Sequence, residues 1–125
     1  MSWNILHVAI GGALGASGRY LTNVAMARLL GHGFPWGTLS VNILGSFLMG
    51  LLVEVLAQKG GMRAAPFLMT GVLGGFTTFS AFSLDALTIY ERGQTALAAG
   101  YVLASVLLSL LAIGLGLAAG RAAFA

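Results

Sequence analysis

Cysteine is absent from this chain, which removes disulfides and every thiolate metal site. Charge is nearly absent as well. Only 7% of the 125 residues are Asp, Glu, Lys or Arg, against about 25% in an average soluble domain. So little polar surface cannot cover a water-facing fold, and with 58% hydrophobic residues the expected solvent is lipid. The six basic residues stand singly, so the net charge of +3 forms no basic run and nucleic acid is not an expected partner. His7 and His32 have no acidic or histidine neighbour at ligand spacing, which argues against a metal held by side chains. The opening Met1-Ser-Trp-Asn lacks the basic stretch and small-residue cleavage site of a secretory signal, so the first apolar run reads as a mature span.

What is present is a succession of long apolar runs. A helix needs about 20 mostly apolar residues to cross the hydrocarbon, and four such runs are expected, over 3–30, 37–57, 66–90 and 95–120. Gly31-His32-Gly33-Phe34-Pro35, Gln58-Lys59-Gly60-Gly61-Met62-Arg63 and Glu91-Arg92-Gly93-Gln94 supply the turns, and Pro66 suits the first turn of the third run. The whole chain, 1–125, is then one four-helix membrane domain. Both termini and the second loop share one face, with Lys59, Arg63 and Arg121. The other face has Arg28 and Arg92, with Arg19 as a possible addition. That balance is too even to fix an orientation by the positive-inside rule, so dual topology is expected, with copies able to meet as antiparallel pairs. The centre of a four-helix bundle is filled by its own side chains, which places function between chains. Gly11 with Gly15, and Gly116 with Gly120, form G-x-x-x-G spacings that favour close helix packing.

Polar side chains within spans are costly and point to an interior or a wet cavity. Thr38, Asn42 and Ser46 lie on one face of the second run at i, i+4 and i+8, and Tyr101, Ser105 and Ser109 repeat the spacing in the fourth. Serine and threonine in such helices also bond back to their own carbonyls, which would make both stripes packing glue. Asn42 differs, because its amide needs partners from another helix, water or an ion. In "GGFTTFSAFS", 74–83, Phe76, Phe79 and Phe82 form an aromatic stripe at a spacing of three, beside the hydroxyls Thr77, Ser80 and Ser83. Gly71, Gly74 and Gly75 make the backbone just before them easy to unwind, and the tandem threonines Thr77 and Thr78 are poor helix formers able to bond freed backbone groups, so the third helix is expected to break near its middle and expose ion-binding backbone groups. The available donors are hydroxyls, the Asn42 amide and the positive rims of phenylalanine rings, all of which suit an anion. Arg19 could add a positive charge to a vestibule. Equally, it could snorkel to headgroups or bridge to Asp85 or Glu54.

"GTLSVNILGSFLMG" from Gly37, "GGFTTFSAFS" from Gly74 and "GGALGASGRY" from Gly11 resemble the Fluc, or CrcB-type, fluoride channels across all four runs. The resemblance implies an all-α integral membrane protein of four transmembrane helices, the third broken, forming a dual-topology antiparallel homodimer. It implies a passive fluoride-selective channel with two pores, exporting fluoride across the bacterial inner membrane, and no enzymatic activity. Phe79 and Phe82 would be pore aromatics and Asn42 an amide donor, with Thr38, Tyr101, Ser105 and Ser109 on the polar track. A structural sodium ion at the dimer centre would rest on the backbone carbonyls of Gly74 and Thr77, and Arg19 matches the family's first-helix arginine. Two rivals differ in chemistry. A small multidrug exporter would need a first-span glutamate that is missing here, and a membrane scaffold would use the polar stripes only for packing.

Overall fold

The structure, a computed structural model, describes residues 2–124. Four helical stretches run back and forth. α1 is Ser2–Leu30 and α2 is Trp36–Gln58. The third stretch begins with a 3-10 turn, Met62–Ala64, and continues as a π-helical segment, Pro66–Leu73, with Pro66 in its first turn. It goes on through the short α3, Gly74–Phe76, and resumes after a gap as α4, Ser80–Glu91. α5, Thr95–Phe124, completes the chain. Gly31 and Gly93 take φ of +83°, which lets the backbone turn away at the ends of α1 and α4.

Among the described residues, three stretches are long and apolar enough to cross a membrane: Trp36–Gln58, Met62–Glu91 and Thr95–Ala123. α1, although 29 residues long, is not among them. Asn4, His7, Arg19 and Asn23 dilute its apolar run.

Packing divides the molecule into two pairs. α2 lies mainly along α5, and α1 mainly along the π-helical segment and α3, while α4 leans on α5. Both close pairings depend on missing side chains. A Cβ on Gly15 would strike the Val72 carbonyl and approach the Phe76 nitrogen to 2.8 Å, and one on Gly75 would come 2.7 Å from the Gly12 carbonyl. Gly116 sits in the same way on the Phe47 carbonyl, and Gly120 on the Glu54 side chain. Both G-x-x-x-G spacings therefore serve packing within one chain. The buried apolar cluster, at one end of the bundle, comprises Leu39, Phe82, Ile89, Ala98 and Tyr101, with Phe34, Ile43 and Ala86 packed against it.

The break in the third stretch is real, but it is not at the glycines. Gly74 and Gly75 remain helical, and the backbone opens at Thr77–Phe79, where Thr77 adopts extended angles of φ −87° and ψ 161°. Gly75 serves another purpose, the close approach of α1, while the tandem threonines supply residues that leave the helix. The gap also dissolves the expected three-ring stripe. Phe76 lies before it, against Gly18 and Gly45, and only Phe79 and Phe82 stay together, with ring centroids 5.6 Å apart.

Candidate functional site

A cleft of about 470 Å³ opens beside the gap. It is lined by Asn42, Gly45, Ser46 and Met49 from α2, by Gly74 and Thr77 to Phe79, by Phe82, and by one side of α5 from Ser105 to Ile113. Most of the residues expected to carry function thus meet in one place: Asn42, Gly74, Thr77, Phe79, Phe82, Ser105 and Ser109. Thr38 and Tyr101 lie elsewhere. Thr38 is buried and borders a second recess of about 430 Å³, formed by the loop after α1 together with Asn23, Asp85, Thr88 and Arg92. Tyr101 is fully buried between the two hollows, its ring 5.3 Å from those of Phe82 and Phe34.

Asn42 does more than face the cleft. Its Nδ2 donates to the Thr78 carbonyl and its Oδ1 accepts from the Thr78 N–H, both at 2.8 Å. The amide therefore replaces the helical partners of one residue at the gap, and one Nδ2 hydrogen remains for another acceptor. Thr78 adds a third bond, its Oγ1 accepting from the Ala81 N–H at 3.2 Å and closing the first turn of α4.

These substitutions have a consequence for the carbonyls. In a continuous helix the N–H of Thr78 would bond to Gly74 and that of Ala81 to Thr77. Both N–H groups are engaged by side chains instead, so the Gly74 and Thr77 oxygens lose their helical donors, and both residues border the cleft. Neutral, partner-deprived carbonyls are the donor set that suits a hard monovalent cation such as sodium. No group of three or more His, Cys, Asp or Glu suited to a metal occurs among the described residues.

Ser17, Thr22, Thr77 and Ser83 bond back to the carbonyl four residues earlier. Ser105 differs: its hydroxyl is buried at the cleft, on the side of the Tyr101 hydroxyl.

Four features were not read from the sequence. Arg19 pairs with neither carboxylate; its Nε donates to the Gly75 carbonyl at 3.1 Å. Asp85 accepts from the Tyr101 hydroxyl at 3.2 Å, and Glu54 pairs with Arg121 at 2.9 Å. Finally, successive ring contacts join Trp36, Phe34, Tyr101, Phe82 and Phe79, so the pair at the cleft is the end of a longer aromatic series. The position of Phe34 in the loop before α2 concealed this, since periodicity speaks only within one helix.

The fold and the cleft define a class: a multi-pass helical membrane protein with an uncharged polar seam set beside aromatic rings. Residues 6–117 match the family model described as "CrcB-like protein, Camphor Resistance (CrcB)", and the chain belongs to that family. A relative from Cereibacter sphaeroides, named fluoride-specific ion channel FluC, is 68% identical over 118 residues, 94% of either chain. Proteins of the same name from Paracoccus denitrificans and Agrobacterium fabrum are 58% identical over 125 residues, all of both chains, and 56% identical over 123 residues, 97% of this chain and 98% of the relative. The family is one of ion channels, and the chain is not an enzyme.

Proposed function

We propose that this protein is a passive fluoride-selective channel of the bacterial inner membrane, built from two copies in opposite orientation with a pathway on each side of the pair. The observation that carries this reading is the cleft, which gathers N–H and O–H donors and two phenylalanines with no carboxylate among its lining residues. Fluoride is small and strongly hydrated, so a route for it must replace water donors one after another. The spare Asn42 hydrogen, the buried Ser105 hydroxyl and the neighbouring Ser109 supply such donors, and the rims of Phe79 and Phe82 supply positive edges. Thr38 and Tyr101 continue the track toward the second recess.

A second copy answers a feature of the single chain. Phe79 is 77% exposed while Phe82, its ring partner, is 9% exposed. A cleft with one wall of rings open to the outside needs a covering surface, and an inverted copy supplies one that accords with the even distribution of basic residues. In that arrangement α1 is the fourth span, its polar positions turned to protein. The Gly74 and Thr77 carbonyls of both copies would hold the central sodium ion, which supplies fixed positive potential beside the anion route.

Efflux from vesicles tests the reading. Liposomes loaded with potassium fluoride and given a potassium ionophore release fluoride to an external electrode at once, with no proton gradient imposed. Release that appears only under a proton gradient supports the exporter, and no release at all leaves a scaffold.

A further inference from the structure

The gap in the third stretch is gripped from two sides, and the α1 side has no role in the reading above. Gly12, Ala16 and Arg19 share a face of α1 and meet the same peptide. Gly75 packs so closely that an added Cβ would lie 2.7 Å from the Gly12 carbonyl and 3.1 Å from the Ala16 nitrogen. Arg19, one turn further on, donates from Nε to the Gly75 carbonyl at 3.1 Å. In an unbroken helix that oxygen would take the N–H of Phe79, which the gap carries away. Gly75 lies between Gly74 and Thr77, both of which border the cleft. Whatever fixes the Gly75 peptide fixes the turn on which both neighbouring oxygens depend.

We propose that Arg19 is a positioning residue for the cation site: by holding the Gly75 carbonyl against α1, it sets the orientation of the Gly74 and Thr77 carbonyls that would ligate sodium. The inference rests on the sodium part of the proposed function. It also carries a sign that separates it from a charge effect. A guanidinium near a cation repels it, so a purely electrostatic Arg19 would weaken sodium binding, whereas a positioning Arg19 strengthens it.

Two near-isosteric substitutions distinguish these roles, because Gln places an N–H donor, and Met a methyl group, where Arg carries Nε. Purified full-length protein is titrated with sodium chloride against an N-methylglucamine background, and thermal stability and fluoride efflux are read at each concentration. Arg19→Gln is expected to keep the half-saturating sodium concentration within about threefold. Arg19→Met should raise it about tenfold, the size of one lost charge-assisted hydrogen bond, with efflux recovering at saturating sodium. A lower half-saturating concentration in both variants makes Arg19 a charge only and overturns the inference. So does an efflux loss with unmoved sodium curves, which would assign Arg19 to the anion. A native protein indifferent to sodium removes the sodium site and this inference together, yet leaves fluoride release to be judged by itself. Elution as a monodisperse species establishes that each variant is folded, and Arg19→Gln remains informative if Arg19→Met is not.

Discussion

The two halves of the third membrane stretch are built by opposite means. From Pro66 to Phe76 the chain meets α1 largely through glycine, so that Gly71 and Gly75 lie directly on the α1 backbone around Gly11 and Gly12. From Ser80 to Glu91 it is held by side chains: Phe82 and Ile89 are buried, and Asp85 takes the Tyr101 hydroxyl. Between the halves neither method operates, and Asn42, Thr78 and Arg19 meet the exposed peptide groups one at a time. The lesson is that a membrane helix can be opened without loss when its two ends are anchored to different neighbours and the freed backbone groups receive side-chain partners.

The sharpest way to break that contrast is to add volume on the backbone-packed side. Gly15→Val should cost about 3 kcal/mol or more, because the new Cβ meets main-chain atoms that cannot rotate away; loss of the monodisperse species in detergent is the expected readout. Next in size is the aromatic pair. Phe82→Ile should lower stability by about 1–2 kcal/mol in a thermal melt, since the ring is buried against Tyr101. Phe79→Ile should leave the melt of a single chain unchanged, and both variants should lose fluoride efflux. Thr78→Val removes the hydroxyl that closes the first turn of α4, for about 1 kcal/mol, while leaving the backbone pairing with Asn42 intact. Hydrogen exchange confined to the start of α4 would register it. Smallest is Arg121→Gln, within about 0.5 kcal/mol, because Arg121 is 64% exposed in its pair with Glu54. A large effect there would mean that the contrast between the halves is not where the stability lies.

Much of this was legible in the sequence, and the parts that were not share a cause. The helical stretches followed from apolar run length and from the glycine-containing turns. Asn42 stood out because an amide in an apolar run must find partners, and its partners proved to be both backbone groups of Thr78. The break was expected at weak helix formers, Gly74 and Gly75 with the tandem threonines after them, and it fell on the threonine side, at Thr77–Phe79. Propensity ranks residues one at a time, whereas Gly75 packs on Gly12 and Ala16 of α1, far away in the chain. The same limit hid the Arg19 bond to Gly75, the Asp85 bond to Tyr101 and the ring series through Phe34, all of which join residues on different stretches. α1 was expected as an apolar span and is instead the least apolar of the long helices, because run length counts residues without weighing the polar ones among them.

The measurement closest to the heart of this account compares two anions in matched vesicles. Liposomes containing the protein are loaded with equal potassium fluoride and potassium chloride, a potassium ionophore is added, and ion-selective electrodes follow both halides in the same sample. The seam of amide, hydroxyls and ring rims predicts that fluoride empties while chloride stays, and that Phe79→Ile stops the fluoride. Equal release of the two halides, or fluoride release undiminished by that substitution, would contradict it.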